Sequence, residues 1–186
     1  MTPKFLKTLI VVGALAMAIP AFAKTNPMVG GQEMFASKNI VENAVNSADH
    51  TTLVAAVKAA GLVETLSGKG PFTVFAPVNS AFTALPAGTV DTLLKPENKG
   101  QLTGVLTYHV VAGELTLDDL KSKIKKGGGS AELKTVAGGT LTAMMNGPSN
   151  VVLKDQSGNV ADITTYDVMQ SNGVIHSIDK VLLPKS

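Results

Sequence analysis

The spacing of hydrophobic residues changes along this chain. Up to about residue 130 most apolar positions recur three or four apart, the period of helices with one buried stripe. From Ala131 onward short apolar runs are separated by Gly, Asn, Asp and Ser, the pattern of strands joined by turns. In the first part Ile40, Val41, Ala44, Val45 and Ala48 make one helical stripe, started by Asn39 with Glu42 at capping-box spacing. Leu53, Val54, Val57 and Ala60 make the next, which Asp49 is placed to cap and Gly61 to end. Leu62, Val63 and Leu66 extend the pattern to a turn at Gly68–Pro71. Thr89–Leu94 predicts a short helix stopped by Pro96. Asn98–Val111 predicts a longer helix with Leu102, Val105, Leu106 and His109 on a stripe, although Leu106–Val111 is also β-branched and leaves its end open between helix and strand. Thr116 with Asp119 marks a further helix start before Leu120 and Ile124.

One stretch organises the rest. Phe72–Ala76 is an apolar strand, Pro77 ends it, Asn79 is a candidate N-cap, and Phe82 and Leu85 point back toward the strand. Its expected partner is the last apolar segment, Gly173–Leu183. Between them lie strands at Glu132–Val136 and Thr140–Met145, joined at Gly138-Gly139, then Val151–Lys154, Val160–Thr164 and Tyr166–Gln170. Helices first and strands afterwards predict an α+β fold.

The first 23 residues do not fit that body. Lys4 and Lys7 precede the apolar run Leu9–Ile19, and Ala21-Phe22-Ala23 is a small-x-small cleavage pattern, so residues 1–23 read as an export signal. The run is shorter than the roughly 20 residues of a membrane anchor. Residues 24–36 read as a flexible arm and residues 37–184 as one domain. Signal removal also changes the charge: without Lys4 and Lys7, 14 of the 16 basic residues remain against 14 acidic ones. Every basic residue is lysine, and this neutral, arginine-free composition argues against a nucleic-acid partner. There is no cysteine, which removes disulfides and thiolate metal sites. The expected product is an exported protein, secreted or periplasmic, with no integral membrane segment after cleavage.

The pattern offers no catalytic centre, cofactor site or metal site. His50, His109 and His176 are dispersed in no ligand spacing, and His109 and His176 lie on apolar stripes as core or edge histidines with one hydrogen bond each. Asp155-x-Ser157-x-Asn159 begins like a calcium loop, but Gly158 is misplaced and Tyr166 stands where a bidentate glutamate is needed; it reads as a polar turn. No G-x-S-x-G or P-loop is present. Asp118 and Asp119 suit a helix's first turn. Lys121, Lys123, Lys125 and Lys126, before the Gly127–Gly129 loop, form a basic run open to an anionic glycan or membrane surface, or a solvated helix face.

FTVFAPVNSAF at Phe72–Phe82, TYHVVAGELT at Thr107–Thr116 and SNGVIHSIDKVLLP at Ser171–Pro184 resemble, in order, the signature segments of a fasciclin (FAS1, beta-ig-h3) domain. The resemblance runs from about Asn39 to Pro184. It implies a FAS1-like β-wedge of about seven strands with a packed helical layer, and first and last segments side by side. It further implies a non-enzymatic module for adhesion or extracellular contact, with extracellular matrix, a cell-surface protein or glycan as partner. The adhesion-linked Tyr-His pair of animal members falls on Tyr108-His109, whose apolar neighbours Leu106, Val110 and Val111 suggest burial and a supporting role. With the lysines, these two complete the candidate partner-binding set. Val78 stands where a hydroxyl residue is common. The alternative reading is a carrier of an apolar ligand, lipid or pigment.

Overall fold

The computed structural model describes residues 26–185; the segment expected to be an export signal, residues 1–23, lies outside them. A two-stranded hairpin, β1 (Met28–Val29) and β2 (Gln32–Glu33), leads into α1 (Ile40–Ala44), a 3-10 turn at Ala48–His50, α2 (Thr51–Ala60) and α3 (Val63–Ser67). Then come β3 (Phe72–Pro77), α4 (Asn79–Thr83), α5 (Thr89–Leu93), a 3-10 turn at Pro96–Asn98, α6 (Lys99–Tyr108), β4 (Val110–Ala112) and α7 (Leu117–Lys126). Strands β5 (Ser130–Lys134), β6 (Thr140–Asn146), β7 (Asn150–Lys154), β8 (Val160–Gln170) and β9 (Gly173–Ile178) complete the chain. This is the expected α+β order.

Seven strands form one mixed sheet in the order β4-β3-β9-β8-β7-β6-β5. β3 and β9 run parallel, with Phe72 opposite Gly173 and Pro77 opposite Ile178; their other neighbours are antiparallel. The first and last signature segments are therefore adjacent strands, as the resemblance implied. Both strands are covered on both faces, which is why they read as near-continuous apolar runs. The sheet curls until its two edges touch at a single antiparallel bridge, Val111 to Thr135. Two apolar clusters result. Val74 and Ile175 join Leu53, Val57, Leu66, Phe82, Leu102 and Leu106 under the helical layer. Phe75 and Ile178 join Tyr108, Leu141, Leu153 and Leu182 inside the curl, where Leu120 and Ile124 of α7 enter.

Several local expectations are corrected. The 24–36 stretch is not a free arm over its described part: Val29 and Met34 are buried, and the Ala48 N–H donates to Gly30 O. The Asn39–Glu42 capping box forms, but α1 ends at Ala44 and Val45 is exposed. Asn79 does not cap its own helix, whose N-cap is Val78. Its Oδ1 instead accepts from the Thr52 N–H at 3.0 Å, and its Nδ2 donates to Ala48 O at 2.8 Å. Asn79 thereby supplies the α2 cap expected of Asp49, from a distant helix. The ambiguous segment divides after Tyr108: α6 stops there and β4 begins at Val110. A five-residue turn over Thr135–Gly139, not a two-residue one, joins β5 to β6. The strands expected at Val160–Thr164 and Tyr166–Gln170 are one, β8, with two register shifts against β9. The shifts fall between Ile163 and Thr165 and between Thr165 and Val168, and in the second Asp167 takes a left-handed conformation at φ 54°.

Candidate functional site

Tyr108 and His109 sit where α6 gives way to β4, and both are buried. The Tyr108 hydroxyl donates to Thr140 O at 2.8 Å and accepts from the Gln156 N–H at 3.2 Å, so the ring ties α6 to the loops at β6 and β7. Burial raises the Tyr108 pKa above its ordinary value. Gly139 lies against the ring; a Cβ there would meet Tyr108 Cε2 at 2.6 Å. His109 donates from Nδ1 to Val105 O at 2.8 Å and accepts at Nε2 from the Leu182 N–H at 3.0 Å. A carbonyl can only accept and this amide can only donate, so the tautomer is fixed and the ring neutral. Desolvation pushes the His109 pKa down to about 4.

Asp155 closes the same corner. Its Oδ1 accepts from the N–H groups of Ser157 and Asn159, and its Oδ2 from Asn159 Nδ2 and the Leu183 N–H at 3.0 Å. The carboxylate is saturated by nitrogen donors, in keeping with a polar turn. His109 and Asp155 thus grip consecutive backbone amides, Leu182 and Leu183, and fasten the end of the domain to its middle. The sequence marks Asp155 as a turn residue but carries no sign of this second duty, because the partner amide is 28 residues away.

His176 is also interior and, like His109, makes two hydrogen bonds rather than the one expected. Nε2–H donates to Leu115 O at 2.7 Å, and Nδ1 accepts from the Asp167 N–H at 3.3 Å. The ring stacks on Phe75 with centroids 5.7 Å apart. Asp167 Oδ1 in turn accepts from the Leu117 N–H at 2.8 Å, so the β8 bulge helps to cap α7. Among the described residues no three His, Cys, Asp or Glu side chains come together as a metal site. No helix among them is long and apolar enough to cross a membrane.

The lysines have the opposite character. Thr116 and Asp119 start α7 with a full capping box, and hydrogen bonds from Thr116 hold the Asp119 pKa below its ordinary value. Leu120 and Ile124 anchor the helix inward, leaving Lys123, Lys125 and Lys126 exposed and Lys121 half-buried. At about 100° per residue, Lys121 and Lys125 share one flank while Lys123 stands roughly 160° from Lys125, on the other. The run wraps the outer face of α7 rather than forming one stripe. Of the six candidate residues, the structure therefore exposes Lys123, Lys125 and Lys126, leaves Lys121 half-buried and withdraws Tyr108 and His109 into the interior.

An apolar cavity lies between the helical layer and the sheet, lined in part by Ile40, Leu53, Val57, Leu66, Val74 and His109. Its volume is about 40 Å³.

Residues 48–184 match the model of the Fasciclin domain. The chain belongs to the fasciclin family. Among fasciclin relatives, protein sll1483 of Synechocystis sp. is 45% identical over 170 residues, covering 91% of this chain and 87% of its own. Immunogenic protein MPB70 of Mycobacterium bovis is 34% identical over 191 residues, covering 92% and 90%. Transforming growth factor-beta-induced protein ig-h3 of Sus scrofa is 37% identical over 132 residues, which span 71% of this chain but 17% of that longer protein. The solved FAS1 domain pair of the insect cell adhesion molecule Fasciclin I superposes with a TM-score of 0.69 at 19% identity, covering 78% of this chain and 51% of that one. At that identity the likeness is one of fold. It agrees with the wedge and helical layer described above.

Proposed function

We propose that this protein is an exported, non-enzymatic fasciclin module for adhesion or extracellular contact, and that the outer face of α7 is its partner-facing surface. The observation that carries this reading is the division of the candidate residues. The motif pair Tyr108-His109 is spent on holding the fold, whereas Lys123, Lys125 and Lys126 are exposed on α7 with Lys121 beside them. The structural relative named as an insect cell adhesion molecule supports the role by analogy of fold. The interior histidines support the non-enzymatic reading: both ring nitrogens of His109 and of His176 are occupied by backbone groups. Extracellular matrix, a cell-surface protein or glycan is the expected partner class.

The small cavity weighs against carriage of a lipid or pigment. Ligand pockets run to roughly 300 Å³ or more, and the cavity under the helical layer is about 40 Å³.

Binding of the purified protein to immobilised matrix or cell-wall glycan tests the proposal. Retention above that of an unrelated neutral protein is expected, with loss when Lys121, Lys123, Lys125 and Lys126 are all changed to Glu. Equal retention of the two proteins, or an unchanged quadruple variant, would overturn it.

A further inference from the structure

The two ends of the sheet face each other across a seam that is closed at one end only. The Val136 N–H donates to Val110 O at 2.8 Å beside the Val111–Thr135 bridge. Past Ala112 the chain turns away from β5 at Gly113, whose φ is 99°. Thr73 then holds it on the far side: its hydroxyl donates to Gly113 O at 2.6 Å and accepts from the Leu115 N–H at 2.9 Å. Among the described residues no further strand pairs with β5 on this side. The space that opens is a groove of about 350 Å³, lined among others by Ala112, Leu115, Lys123, Glu132, Leu133 and Lys134.

Backbone alternation shows what the groove offers. The Thr135 N–H bonds to Gly139 O, on the β6 side. Successive peptide groups along a strand point to opposite sides, so those of Lys134 and Glu132 face the seam. On β4, His109 O and Gly113 N–H bond to Phe75 and Pro71 of β3, which turns the peptide groups of Val110 and Ala112 to the seam as well. Near Glu132 this leaves a strand edge with no strand to pair with. Leu133 is buried beneath, Leu115 is half-buried beside it, and Lys123 and Lys134 are exposed, with Glu132 as the acidic residue of the groove lining and Asp119 one turn before Lys123 on α7.

We propose that this seam is a docking slot for an extended, acidic peptide segment of a partner protein, which adds to β5 as a further strand. Main-chain hydrogen bonds to the Glu132 edge supply the affinity, inward side chains meet Leu115 and Leu133, and outward carboxylates meet Lys123 and Lys134. The proposal rests on the contact-module reading but fails separately from it: matrix retention can stand while the peptide does not bind.

The test uses the purified protein and a fluorescein-labelled peptide of alternating Asp and Val. Saturable binding is expected, with slowed hydrogen exchange at the Glu132 amide. N-methylation of alternate peptide amides, exchange of Asp for Lys in the peptide, and Lys134→Glu in the protein should each weaken binding by about tenfold or more. Lys134 is exposed, and an unchanged thermal melt separates lost binding from lost fold. Three results would overturn the slot. One is no saturable binding, the outcome expected if the charges on β5 only guard its edge against aggregation. Another is binding that ignores N-methylation or charge reversal. The third is protection of the Glu132 amide by concentration-dependent dimerisation, which would make a second copy the occupant.

Discussion

The Leu182 N–H lies 3.0 Å from Nε2 of His109, joining residues 73 apart in sequence inside the protein. With Leu183 N–H on Asp155, it makes the end of the domain part of the core rather than a tail. His109→Ala should therefore leave the Leu182 amide unpaired and open a void. Urea unfolding is expected to show a loss of roughly 2–4 kcal/mol, combining an unsatisfied buried donor with a cavity. A variant as stable as the parent would show that the grip on Leu182 carries no weight.

Acid should weaken the fold through the same ring. The His109 pKa is about 4 in the folded protein against 6.5 unfolded. Above pH 6.5 both states are neutral and this group makes no pH dependence. As pH falls below 6.5 the unfolded chain takes up the proton first, so stability declines until the folded value is reached near 4. The integrated loss from His109 is roughly 3 kcal/mol. Burial lowers the values of His50 and His176 too, which adds to the loss in the same direction. Chemical denaturation at a series of pH values between 7.5 and 4 checks this, and in His109→Ala the decline should be shallower.

Asn79→Ala should remove the cap that α4 lends to α2. The expected cost is about 1–2 kcal/mol, read as a shift in denaturation midpoint. Asn79→Asp keeps the acceptor for Thr52 N–H but loses the donor to Ala48 O, so it should fall between parent and alanine variant.

Gly139→Ala should press a methyl group onto the Tyr108 ring, at a separation of 2.6 Å before relaxation. A destabilisation of about 1–3 kcal/mol is expected. If the clash is the cause, the double variant Gly139→Ala, Tyr108→Leu should lose less than the sum of the two single changes.

Much of this architecture was legible in the order of residues, and the exceptions share a cause. Phe72–Pro77 and Gly173–Ile178 announced themselves because strands covered on both faces need apolar residues at every position. The Asn39–Glu42 and Thr116–Asp119 boxes were visible because a capping box closes within four residues. Local pattern places Asn79 on its own helix because its partners, Thr52 and Ala48, are remote in sequence. It divides β8 in two because Asp167 serves two distant groups, His176 and Leu117. The lysine run gave its identity but not its arrangement, which depends on which side of α7 is buried.

The sequence by itself determined the class, the helix starts and the pair of central strands, since these follow from local spacing and from the need to bury apolar side chains. Only the tertiary structure decided which remote backbone groups Tyr108 and His109 hold, and that the β4 and β5 edges meet in a half-open seam. Those outcomes depend on curvature of the sheet and on hydrogen bonds between residues far apart in the chain, which local pattern does not encode.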